Sequence, residues 1–294
     1  MTCARRPVPQ AGGGFVRAWR AEMSRLRSWP AIWAVVGAWV LLSFLFAYVF
    51  PYLSYRTGAA TIGDDDVSRF VIGLALSPAR APDVAIQAMP LFGGAMMTVL
   101  GVLVTGSGYS WDTWKTVATQ DVTRRALITG SIAAASLVTV GLVTFVMALS
   151  VGTSSVIARA EGLQTDLPDP WTTLQALGAG LLVLETWLLI GCALGVVFRS
   201  TGLPLGLALI WTLVVENLLR GVGLLLPIMG YATDVLPGTA TGSLVGALSR
   251  AHLGEATPGV LTDISEGRAL VTVVLYAAAA ASLAATFFVR RDLD

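Results

Sequence analysis

Six long apolar stretches alternate with shorter segments rich in charge, proline and glycine. A helix of about 20 apolar residues crosses the roughly 30 Å hydrocarbon core of a bilayer. Runs of that length fall at 31–53, 85–108, 126–157, 173–198, 203–226 and 269–289. The fourth and fifth are joined only by Arg199, Ser200, Thr201 and Gly202, so they predict adjacent antiparallel helices. The third and fourth runs are the longest, which leaves room for tilt or for extension past the membrane. The pattern predicts an all-α integral membrane protein of six transmembrane helices, with residues 15–294 forming one transmembrane domain. The first apolar run begins only after about 30 residues and is too long for the core of a cleaved signal peptide, so it reads as an anchor.

A different period precedes the first run. Over residues 15–29, at about 100° per residue, Phe15, Val16, Trp19, Met23, Leu26 and Trp29 share one arc. Arg17, Arg20, Ser24, Arg25 and Arg27 share the other, and Glu22 alone intrudes on the apolar side. This predicts an amphipathic helix lying in the membrane interface with its arginines at anionic headgroups. Its role is either topogenic only or topogenic and bracing. Pro30 ends it. Residues 1–14, with Pro7, Pro9 and Gly12 to Gly14, predict a disordered cytoplasmic tail.

Composition agrees and removes several chemistries. The chain has 294 residues, 55% of them apolar and only 13% charged, with a mean hydropathy of +0.74. Soluble domains carry about 25% charged residues, so a soluble enzyme and a disordered chain are both excluded. The net charge of +1 gives no field for nucleic acid. The single lysine, Lys115, follows Trp114, so the Gly-Lys of a Walker A loop is missing. ATP, if used, binds to another chain. The single histidine, His252, has no second ligand beside it and reads as an ordinary exposed residue. Cys3 and Cys192 suggest neither a disulfide framework nor a metal site. No catalytic residue set is visible.

Charge also orients the chain. With both termini inside, the cytoplasmic segments hold 12 basic residues (among them Arg17, Arg20, Lys115, Arg124, Arg199 and Arg290) against 5 acidic ones, and the external segments hold 6 against 11. The positive-inside rule then places both termini in the cytoplasm.

Three further features carry chemistry. In the cytoplasmic loop 109–125, Trp111, Trp114 and Val117 fall at i, i+3 and i+6, with Asp112 and Lys115 between them. Such a face suits either docking onto a partner protein or an aromatic belt. In the external segment 227–268, Gly238, Gly242 and Gly246 recur every four residues, which fits either a re-entrant helix near 239–250 or an irregular loop. Glu185, Glu216 and Arg220 lie inside spans, where charge is costly and needs a partner. They predict a Glu–Arg ion pair that locks packing, a substrate path or gating contact, or a proton relay. Gly191/Gly195 and Gly202/Gly206 are GxxxG pairs suited to close helix approach.

Taken together, Glu22 with Arg25-Leu26-Arg27, the run TWKTVATQDVTRRALITG at 113–130, and Leu236-Pro237-Gly238 before the last span make the whole chain resemble the membrane subunit of a bacterial ABC exporter of the ABC-2 permease type. Such permeases often carry glycine where Asp112 stands and arginine where Lys115 stands. The resemblance implies that 15–29 is a connecting helix, that 110–121 is a coupling helix docking into a separate ATPase, and that 239–250 belongs to an external gate. It further implies two ATPase copies, which hold ATP and Mg²⁺, under a homodimer or heterodimer of permeases in the bacterial inner membrane. No cofactor or metal is expected in this chain, and no nucleic acid. An ion-gradient-driven secondary transporter and a non-transporting membrane anchor or assembly factor stay open as other classes.

Overall fold

The computed structural model describes residues 11–58, 69–118, 122–223, 232–249 and 257–291, and the regular structure among them is all helical. Helix α1 (Ala11–Ser28) is the predicted interface helix. It begins four residues before the expected start and so takes in 11–14; residues 1–10 lie outside the described residues. Trp29 turns extended at φ −91° and ψ 111°, and Pro30 opens the first span, α2 (Pro30–Thr57). Proline loses no hydrogen bond at a helix start, because that N–H has no partner there in any case. Gly58 ends α2 in the left-handed region at φ 67°.

Two short helices, α3 (Arg69–Ala75) and α4 (Ala81–Gln87), lead into the second span, α5 (Met89–Ser110). Sequence had started this span at 85. The true start is later because α4 closes at its C-cap, Ala88, and the span opens on a wide turn over Met89–Gly93 that contains Pro90. A one-turn helix, α6 (Thr113–Ala118), precedes the third span, α7 (Arg124–Glu161). At 1.5 Å per residue its 38 residues reach about 57 Å, well past the hydrocarbon core. Thr123 caps it by accepting from the Ala126 N–H at 3.3 Å. The fourth span, α8 (Pro170–Phe198), is capped by Asp169, which accepts from the Thr172 N–H at 2.9 Å. The fifth span, α9 (Gly202–Gly223), follows at once. Then come the buried helix α10 (Pro237–Leu248) and the sixth span, α11 (Glu266–Arg290).

Spans α5 and α8 form the centre. In their most apolar windows 72% and 61% of residues are buried, against 22%, 22% and 17% in α2, α9 and α11, which leave their outer faces to lipid or to another protein. The two central helices touch backbone to backbone: a methyl group on Gly101 would overlap the Leu188 carbonyl, and one on Gly191 would overlap the Thr98 carbonyl. Thr105 Oγ1 donates to the Cys192 carbonyl at 3.0 Å across the same seam. The Gly191/Gly195 pair thus packs as its spacing suggested. A methyl group on Gly202 or Gly206 would meet no atom within 4 Å, so within this chain that pair does not.

Charge separates to the two ends. At one, Arg124 Nη1 donates to the Arg291 carbonyl at 2.9 Å, and Arg291 Nη1 donates to the Val197 carbonyl at 3.2 Å. These bonds tie the start of α7 to the ends of α8 and α11, and α1 and α6 lie at this basic end. The acidic end carries Asp83, Glu161, Asp169 and Asp234, with α3, α4 and α10.

Candidate functional site

Two constructions stand out, one at each end. At the basic end α1 does not merely float on the surface. Ala18, Glu22 and Leu26, spaced i, i+4 and i+8, are buried against α7 and α5. The expected arc therefore shifts: Phe15 and Val16 are exposed, and Arg25, placed by sequence on the polar side, turns inward. Arg25 Nε donates to Glu22 Oε1 at 3.0 Å, and its two terminal nitrogens donate to Ser107 Oγ at 3.1 Å and the Val104 carbonyl at 2.8 Å. Its guanidinium also lies 5.3 Å from the Trp29 ring centroid. Burial pushes the Glu22 carboxyl above the usual carboxylate range, and Arg25 opposes that rise. The unexpected Glu22 is therefore half of a pair that fastens α1 to the end of the second span. Trp19 packs partly against the core, while Arg20 and Arg27 are exposed.

The loop after α5 departs from expectation. Trp111, Trp114 and Val117 do not share one face, because Asp112 sits in the left-handed region at φ 51° and breaks the register before α6 begins at Thr113. Glycine would adopt that conformation without the steric cost a side chain brings. Trp114 turns inward, only 6% exposed. Its Nε1 donates to the Thr105 carbonyl at 3.0 Å, and its ring meets Phe288 edge to face at 4.8 Å. Val117 packs on the same cluster. Trp111 points outward, 60% exposed, beside Trp29 at 5.3 Å. Lys115 and Asp112 are exposed and pair loosely at 3.6 Å. One tryptophan thus anchors α6 to α5 and α11, and the outer surface offers Trp111, Asp112 and Lys115. The helix expected over 110–121 begins at Thr113 rather than at 110, and 119–121 lie outside the described residues.

At the acidic end the segment 237–248 is a helix, as one of the two sequence readings had it, and residues 237–246 are all buried. Helix α10 is therefore re-entrant into the bundle, packed against α11, α8 and the turn that opens α5. Its first turn is held by Glu216 of α9, which is 1% exposed. Glu216 Oε1 accepts from the Gly238 N–H at 2.6 Å and the Thr239 N–H at 3.2 Å. The carboxylate so satisfies the free N–H groups of a helix start and meets its positive end. A side chain on Gly238 would collide with that carboxylate.

The expected Glu–Arg ion pair is absent among the described residues: neither Glu185 nor Glu216 lies within 4.0 Å of Arg220. A wide turn over Trp211–Val215 directly precedes Glu216 and aims it at α10. Arg220 donates instead to Asn217 Oδ1 at 2.7 Å. Glu185, half-buried in mid-span, accepts from Ser136 Oγ of α7. The two carboxylates therefore bind different helices. The hydroxyls of Thr239 and Ser243, buried one turn apart on α10, have no hydrogen-bond partner in this conformation among the described residues. His252 lies outside the described residues. Sequence had no signal for the Glu216–Gly238 contact, which joins residues 22 apart; the Leu-Pro-Gly helix start and the intramembrane glutamate were each visible separately.

A family described as ABC-2 family transporter protein matches residues 19–215. That range runs from Trp19 in α1 to the residue before Glu216, so it includes the Glu22–Arg25 pair and α6 but not α10. No curated protein matches the chain.

Proposed function

The chain belongs to the ABC-2 transporter family and is a transmembrane permease subunit of an ABC transporter, and on that premise we propose that it is the membrane half of an ATP-driven exporter. In this reading the basic end faces the cytoplasm of a bacterial cell, both termini included, and α6 is the coupling element. The observation that carries it is the division of labour in 111–117. Trp114 is buried and bolts the element to α5 and α11, while Trp111 and the loosely paired Asp112 and Lys115 are exposed toward a partner. Aromatic and charged groups on a fixed element are what a protein–protein hot spot requires. Two copies of a separate ATPase would supply ATP and Mg²⁺, and two permeases would pair to enclose the pathway.

Force would travel as follows. Closure of the ATPases pushes α6; Trp114 passes the displacement to Phe288 on α11. At its other end α11 holds the approach to α10, where Tyr276 donates to the Val235 carbonyl at 3.0 Å and Arg268 pairs with Asp234 at 3.4 Å. Helix α10 then acts as an external gate with Glu216 as its latch. The hydroxyls of Thr239 and Ser243, unpaired among the described residues, support a second position of this helix in which they find partners.

The reading is tested by mild-detergent isolation of the tagged chain from its host, with mass spectrometry of what accompanies it. Recovery of a roughly stoichiometric ATPase with Walker motifs supports it. A folded chain with no ATPase would overturn it and turn attention to an ion gradient, with Glu185 and Glu216 as the residues to test in proton- and sodium-flux assays.

A further inference from the structure

A cleft of about 500 Å³ opens between α1 and the first and third spans at the basic end. Its walls are apolar, formed chiefly by Met23, Leu26, Ile32, Val36 and Phe145, and among the described residues Arg27 is the one charged residue that lines it. Gly141 leaves its floor open, with no atom within 4 Å of where a methyl group would stand. Trp33 stands at the rim, 58% exposed, its Nε1 donating to the Arg27 carbonyl at 2.8 Å. The volume falls in the range of small-molecule sites, but the cleft is far too apolar to hold a polar ligand within the membrane.

Charge selects among apolar occupants. Arg27 is exposed, and Arg20, one heptad earlier on the same side of α1, is exposed as well. Neither forms an ion pair with a described residue. The cleft therefore asks for an apolar chain with a negative group at its mouth. A second copy of this chain fits poorly, because the two acidic residues described at its basic end are already taken: Glu22 is buried against Arg25, and Asp112 faces Lys115. We propose that the cleft binds one acyl chain of an anionic phospholipid from the leaflet at the basic end, with its phosphate on Arg27. The lipid wedges α1 against the first and third spans and steadies the Glu22–Arg25 clamp. The site draws on the interfacial position of α1 and owes nothing to an ATPase, so its failure would leave the transporter reading intact.

The test is native mass spectrometry of the delipidated full chain titrated with dioleoylphosphatidylglycerol or dioleoylphosphatidylcholine. The wild type should retain one phosphatidylglycerol on the order of fivefold more tightly than phosphatidylcholine, the worth of one interfacial arginine. Arg27→Gln should erase that preference, and Gly141→Leu, which fills the cleft, should abolish retention of both lipids. Should Gly141→Leu fail to fold, phosphatidylglycerol with six-carbon chains serves in its place, and the wild type should not retain it. The proposal is overturned by equal retention of the two headgroups, by undiminished retention in folded Gly141→Leu, or by equal retention of short and long chains. It is equally overturned if the substitutions change the ratio of monomer to dimer and leave lipid retention untouched, which would make a second copy the occupant.

Discussion

Replacing Glu216 with alanine strips the first turn of α10 of its acceptor. Two backbone N–H groups, those of Gly238 and Thr239, lose their partner in a buried setting. Each orphaned donor costs about 1–3 kcal/mol, and loss of the charge at the helix start adds about 1 kcal/mol. Removing a buried carboxylate returns part of its desolvation cost, so the net loss should be about 3 kcal/mol in the free energy that holds α10 closed. Glutamine has the same shape and keeps one acceptor oxygen but loses the charge, which roughly halves such bonds; it should cost about 1.4 kcal/mol. These energies make opening of α10 about a hundredfold and about tenfold more frequent, respectively. A cysteine at Ser243, 1% exposed, reports the opening in a Cys3→Ser background, since Cys192 is wholly buried. Maleimide labelling should accelerate in that order, alanine above glutamine above wild type. Equal labelling rates in all three would refute the latch.

Other consequences are separable from this one. Trp114→Ala should lower stability by about 3–5 kcal/mol, as truncation of a buried tryptophan does, whereas Trp111→Ala should leave the melting temperature unchanged and weaken ATPase recovery; the opposite pattern would reverse their roles. Arg25→Met leaves Glu22 buried without its cation and should cost about 3–5 kcal/mol, read as a drop in melting temperature in detergent that a second change, Glu22→Met, partly restores. Because the folded-state carboxyl of Glu22 lies above its ordinary value of 4.5, the folded chain binds that proton more tightly than the unfolded one. Stability from this group is therefore full below about pH 4.5 and is lost as pH rises through the raised value, and Glu22→Gln should flatten that part of the melting-temperature profile. Gly191→Val drives a side chain into the Thr98 carbonyl and should prevent folding of the α5–α8 core, seen as loss of the monodisperse peak on gel filtration.

What was legible in the sequence follows from the physics that set it. Apolar runs long enough to cross a bilayer have one outcome, and the six spans lie within a few residues of their predicted limits. Close packing at Gly191 was also readable, because a small residue at a helix seam has a local cause. Readings that assumed an undisturbed helix fared worse. The spacing of Trp111, Trp114 and Val117 held only for a continuous helix, and a left-handed Asp112 cancelled it. Arg220 follows Glu216 by one turn, yet the wide turn before Glu216 sends its carboxylate to the start of another helix. Arg25 looked like a headgroup ligand because its acceptors, Val104 and Ser107, stand about 80 residues away in sequence. Contacts over such distances leave no local periodicity to read.

The central claim is that α6 at the basic end docks onto a separate ATPase. A photo-crosslinking amino acid at Trp111, compared with one at Leu167, which is 73% exposed at the acidic end, tests it most directly in intact cells. The account predicts a crosslink from position 111 to a protein with Walker motifs and none from position 167. A crosslink to such a protein from 167, or none from 111 in a chain that is folded and inserted, would contradict it.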